Sequence, residues 1–179
     1  DIKFENALFL NQGVSPVVQV VLDPKTAKFE ISSRIPGQDK TWTCNASGTI
    51  RKRQNIKITA KDELIQILGN CTKEYGKEVC YKTFYQMGFH FQGIDKIWKG
   101  DNEALGRIEI PKILEIDSSI YGLHPAVLDA CFQVTIAAVA PLNEDENNEG
   151  QSFLPVGIDR VQLYGRPEPV MLCHTQMVD

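Results

Sequence analysis

The sequence predicts an α+β fold of two antiparallel sheets joined by a short helix, with a longer apolar helix belonging to the second sheet. Three observations predict it. Alternating, β-branched or aromatic segments occur on both sides of residues 61–78. A helical period is confined to that stretch and to residues 124–140, and turn-forming residues separate the segments. With 179 residues, 42% of them hydrophobic, the chain can bury one good core or two small ones.

In order, "VVQVVL" from Val17 to Leu22 is short and β-branched, and "KFEISSR" from Lys28 to Arg34 places Phe29 and Ile31 on one face. The "DPKTA" between them supplies turn residues, so the pair is expected to form a hairpin. "TWTCNASGTI" alternates again, with Trp42, Cys44 and Ala46 on one side, and gives a third strand. Thr59 followed by Asp62 resembles a capping box ahead of "ELIQILGN", where Leu64, Ile67 and Leu68 share a stripe that Gly69 can end. Beyond this linker helix, "VCYKTFYQMGFHFQGIDKIWKG" and "EALGRIEIP" look like strand and aromatic segments, and "FLPVGIDRVQLYG" and "VMLCHTQMV" like two further strands. The acidic "PLNEDENNEGQS" at 141–152 is expected to be a solvated loop. The expected division is residues 1–60 for the first sheet, 61–78 for linker helix and loop, and 79–179 for the second sheet, with its helix at about 124–140.

Composition narrows the function classes. A net charge of -4 and basic residues that gather only at Arg51-Lys52-Arg53 disfavour nucleic acid as a partner. Five cysteines without a C-x-x-C pair or ligand spacing read as reduced, mostly buried thiols, and no metal site is expected. The opening "DIKFENALFL" does not read as a secretory leader, and without a run of about 18 apolar residues no membrane span is expected. A cytoplasmic location is expected, so the sequons at Asn45 and Asn70 carry no weight.

The chemistry is concentrated in "HPAVLDACFQVTIAAVA". Pro125 suits the first helical turn, and no breaker follows. Asp129 and Gln133 are four apart and share a face, where the amide can donate to the acid. Leu128, Cys131, Phe132 and Ile136 around them are apolar, so the carboxyl loses hydration and its neutral, proton-donating form is favoured. The alternative is a carboxylate that bonds backbone groups near the helix start, and His124 reads more readily as a capping or core histidine than as a base. Residue pattern alone leaves these readings open. Cys131 with His124 as a nucleophilic pair is disfavoured, because seven residues on a helix separate them by about two turns.

The string "LHPAVLDACFQ" resembles the second motif, H-P-x-L-L-D-x-x-x-Q/H, of dehydratase domains from modular polyketide synthases and animal-type fatty acid synthases. "FQGIDKIWKGDNEALGRIEIP", "SFLPVGIDRVQLYG", "FEISSR" and "TWTCNASGTI" are similar to other family segments in the same order. The resemblance implies a double hotdog, two antiparallel sheets each wrapping a central helix, with the first hotdog helix not represented in this sequence. It implies elimination of water from a β-hydroxyacyl chain carried on the phosphopantetheine arm of an acyl carrier protein, without any other cofactor. In that mapping Asp129 is the general acid, Gln133 orients it, and His124 with Pro125 fixes the loop before the helix. Phe91, Leu154 and Pro155 would line the acyl site. Acyl carrier protein, neighbouring synthase domains and a second copy of the chain are the implied partners.

Three departures qualify the mapping. The family's His base lies in an H-x-x-x-G-x-x-x-x-P motif, and neither His90 nor His174 stands in that context. The chain is short of a G-P-x-F-like segment between Phe91 and Gln92, which leaves Phe91 at the family's Tyr position without its hydroxyl, and the end at Asp179 looks early. An incomplete record of a larger domain would explain these features. The rivals are an inactive, scaffolding dehydratase-like domain and, as a minor reading, a hotdog thioesterase.

Overall fold

The computed structural model describes residues 1–10, 13–37, 41–51, 61–84, 91–111, 120–142, 153–165 and 167–178. It divides into two compact units, Asp1–Ile56 with Leu154–Gln162, and Lys57–Phe153 with Leu163–Asp179. The Thr59 and Asp62 cap, His90 and nearly all of the acidic loop fall outside what can be described.

The first unit is a five-stranded sheet. Its strands are β1 (Ile2–Phe4), β2 (Val17–Asp23), β3 (Lys28–Arg34), β4 (Thr43–Thr49) and, late in the chain, β8 (Gly157–Ile158), in the order β2-β3-β4-β1-β8. The hairpin expected from "DPKTA" pairs Val17 with Arg34 through Asp23 with Lys28. Its turn is built by the Asp23 carboxylate, which accepts from the Lys25 N–H at 2.8 Å and the Thr26 hydroxyl at 2.7 Å, letting Ala27 adopt φ 57°. Those two bonds favour the charged carboxylate and hold Asp23 below its ordinary value. β4 pairs with β3 across an irregularity between Ile31 and Ser32.

β1 lies on the other side of β4, with Ile2 opposite Gly48, and there a side chain has no room: a Cβ on Gly48 would stand 2.2 Å from the Asp1 carbonyl oxygen. This strand is too short to announce itself by alternation, and it was not expected. The stretch "FLPVGIDRVQLYG" needs correction too. Only Gly157–Ile158 is a strand, and it pairs with β1, so Leu154–Gln162 belongs to the first unit and not the second.

The second unit holds α1 (Lys61–Asn70), β5 (Lys73–Gly76), α2 (Lys77–Thr83), β6 (Ile94–Lys99), β7 (Glu103–Glu109), α3 (Pro125–Val139) and β9 (Val170–Gln176). The sheet order is β5-β6-β7-β9, all antiparallel. The expected linker therefore ends early, since Lys73–Gly76 already forms an edge strand. "VCYKT" is also helical where strand was expected: its aromatic and β-branched residues sit on a short helix that buries Cys80, with Phe84 buried just beyond it. α3 packs on β6, β7 and β9, and Ile94, Ile97, Ala104, Ile108, Ala130, Val134 and Ala137 form one fully buried core. The helix carries few polar residues, and its buried side chains pack on three strands of the sheet.

Both ends of α3 are tied down. At the start, the His124 Nδ1 accepts from the Ala126 N–H at 3.1 Å, and Pro125 takes the position where a missing N–H costs nothing. At the end, the Lys99 ammonium donates to the carbonyls of Ala137, Ala138 and Ala140. A cation on three outgoing carbonyls opposes the negative end of the helix dipole. Lys99→Met keeps the aliphatic stem and removes the cation, and is expected to lower stability by about 1–2 kcal/mol, read from the urea midpoint.

Candidate active site

Asp129 sits in the second turn of α3, half-buried, and Gln133 follows one turn later at 1% exposure. The Gln133 amide nitrogen donates to the Asp129 carboxylate at 2.6 Å and to the Phe91 carbonyl oxygen at 3.0 Å. One NH2 group with two donors thus bridges the acid to the strand-side segment before β6. The Gln133 carbonyl oxygen is buried and has no donor among the described residues. Among those residues its amide is oriented through its nitrogen, so the positions of the two acceptors matter.

The arrangement exists because of helical spacing and a tight approach. Residues 129 and 133 stack on one face. Gly93 lies against the helix, where a Cβ would meet the Ala130 Cβ at 3.4 Å, so the segment 91–94 runs close enough for its carbonyl to reach Gln133. The carboxylate keeps one oxygen free of this bond and remains partly open. A group held this way can carry a proton to an atom in front of it.

The remaining expected residues are placed differently. His124 is committed to capping: its Nδ1 accepts from the helix, and its ring meets Tyr121 edge-on at 4.9 Å. That geometry ties the loop before α3 to the first turn of the helix. Pro125 is exposed. Phe91 takes part through its backbone oxygen, while its side chain is exposed. Leu154 and Pro155 are exposed and belong to the first unit. His174 pairs with the buried Glu103 carboxylate at 2.7 Å, which also accepts from the Asn70 amide at 3.1 Å, a cluster that ties β9, β7 and the end of α1 together.

Two contributors were not visible in the sequence. The Phe91 carbonyl is backbone and leaves no signal in residue type. Tyr81 was assigned to a strand-like aromatic run, whereas it faces inward from α2 and its hydroxyl accepts from the Ile94 N–H at 2.8 Å. Burial pushes that hydroxyl's proton affinity up, and the neighbouring Cys80 and Asp129 charges act in the same direction.

A family model described as the polyketide synthase dehydratase N-terminal domain matches residues 59–179, well over half of the chain. The chain belongs to the polyketide synthase dehydratase family. Among solved dehydratases, an inactive His-to-Phe variant of CurK dehydratase superposes with a TM-score of 0.84 at 28% identity, covering 99% of this chain and 63% of that one. An inactive Asp-to-Asn variant of CurK dehydratase gives 0.81 at 26%, covering 100% and 64%. These matches establish the double hotdog fold class for the dehydratase chain. A mycocerosic acid synthase-like polyketide synthase of Mycolicibacterium smegmatis is 25% identical over 186 residues, spanning 99% of this chain but 8% of its own length. The chain thus spans less than two thirds of these solved chains and a small part of the curated relatives, which are large synthases.

Proposed function

We propose that this dehydratase chain forms part of a domain that removes water from a β-hydroxyacyl thioester, with Asp129 donating the proton that leaves with the hydroxyl. The observation that carries the reading is the Asp129–Gln133–Phe91 bridge, a partly open carboxyl held by a buried amide at the start of an otherwise apolar helix. The substrate is proposed to ride on the phosphopantetheine arm of an acyl carrier protein, within a cytoplasmic synthase and beside its other domains, in a homodimer. No cofactor is proposed, because both proton movements can be made by side chains.

The α-proton acceptor is proposed to be a histidine contributed by polypeptide beyond these residues. The solved relatives support this division, since the CurK dehydratase is inactive both as a His-to-Phe and as an Asp-to-Asn variant. Asp129 is proposed as the counterpart of the second.

The experiment is to give the full-length protein a β-hydroxyacyl carrier protein and weigh the carrier. Loss of one water from the acyl chain is the expected result. Release of the acyl chain with return of the free thiol would establish a thioesterase instead, and an unchanged mass would favour the scaffolding role.

A further inference from the structure

We propose that Tyr81, with Lys77 one helical turn before it, makes α2 a clamp that positions the Asp129–Gln133 pair for proton donation. The inference rests on the proposed reading of Asp129 as the acid.

Among the described residues Gln133 has two orienting bonds, and one goes to the Phe91 carbonyl. Whatever fixes that carbonyl therefore fixes the amide, and through it the acid. Three bonds to described residues help pin the segment 91–94. The Tyr81 hydroxyl accepts from the Ile94 N–H at 2.8 Å. The Lys77 ammonium donates to the Gln92 carbonyl at 3.3 Å. The Glu109 N–H donates to the Gly93 carbonyl at 2.8 Å. The last comes from β7, and the other two come from one face of α2, as residues four apart on a helix must.

The two α2 pins differ in strength. Lys77 is exposed, so water can replace its bond. Ile94 is fully buried, and its N–H has no water to turn to if the phenol is lost. Removing one oxygen atom from Tyr81 thus leaves a buried donor unpaired and frees the segment to shift toward another acceptor. The Phe91 carbonyl moves with it, and Gln133, whose own oxygen has no donor among the described residues, loses one of the two bonds that orient it. Tyr81 touches no reacting atom in this account, and its effect is transmitted.

The test compares Tyr81→Phe with wild type and Asp129→Asn in the full-length protein. Single-turnover elimination is followed on two carrier-bound substrates, one bearing a β-hydroxyl and one a β-halide. The halide leaves with the bonding electron pair and takes no proton, while the α-proton passes to the base in both cases. Misplacement of an acid slows only the hydroxyl substrate. The expected result for Tyr81→Phe is a loss of about ten- to a hundredfold with the hydroxyl and a near-normal rate with the halide. Lys77→Met is expected to show the same selectivity with a smaller loss.

Equal slowing of both substrates by Tyr81→Phe would make Tyr81 a structural residue only and overturn the inference. So would wild-type rates on both while Asp129→Asn fails on the hydroxyl, an outcome that leaves the acid assignment standing. A wild-type protein that does not eliminate water from the hydroxyl substrate, or an Asp129→Asn protein as fast as wild type on it, would overturn the underlying reading and the inference with it.

Discussion

Asp129→Asn is expected to lower the rate of water elimination by about 10²–10⁴-fold while the protein stays folded. Asparagine has nearly the same shape, and its carbonyl oxygen can still accept from the Gln133 amide, so the bridge to Phe91 survives. What is lost is the proton. A hydroxide leaving without one carries a full negative charge away from a β-carbon, and among the described residues no cationic side chain pairs with Asp129 to take the proton's place. The single-turnover rate on a β-hydroxyacyl carrier protein measures the loss, and an unchanged urea midpoint shows that the fold is intact. The half-burial of Asp129 is the reason for expecting little effect on stability.

Gly106→Ala is expected to destabilise the protein by about 1–3 kcal/mol and to impair turnover as well. Gly106 is a strand residue of β7 opposite Cys173, and a Cβ there would lie 2.3 Å from one Val134 methyl and 3.2 Å from the other. Valine on a helix has essentially one rotamer, so it cannot swing both methyls aside. α3 must then lift from β7. Val134 adjoins Gln133, so the displacement reaches the acid's partner directly. Urea unfolding and single-turnover elimination measure the two effects. Adding Val134→Ala should recover much of the stability lost to Gly106→Ala, because the two side chains occupy the same space.

The parts of the fold visible in the sequence are those that rest on local pattern. The hairpin of β2 and β3, the strand at β4, and α3 with Pro125 at its start follow from alternation, turn chemistry and an unbroken apolar run. β1 and β8 have two or three residues each, too few to show a period, and they form because β4 offers one edge and β1 the next. α2 was mistaken for strand because tyrosine, valine and phenylalanine favour extended backbone. Tertiary burial of Cys80 and Phe84 outweighs that weak preference.

The site divides the same way. Asp129 and Gln133 were predictable because helical spacing alone places them together. The Phe91 carbonyl is 42 residues from Gln133 in sequence, and the Tyr81 hydroxyl is 13 residues from the Ile94 N–H it accepts from, so only folding brings them in. His124 illustrates the opposite case, a titratable residue in a motif whose ring nitrogen serves the helix backbone.

The central claim, that the Asp129 carboxyl supplies the proton carried off with the departing oxygen, is tested most directly by asking Asp129→Asn to expel a leaving group that needs none. The full-length variant should eliminate β-halide from a carrier-bound acyl chain at close to the wild-type rate while failing with the β-hydroxyl. If the variant loses both reactions to the same extent, Asp129 does not act as the proton donor.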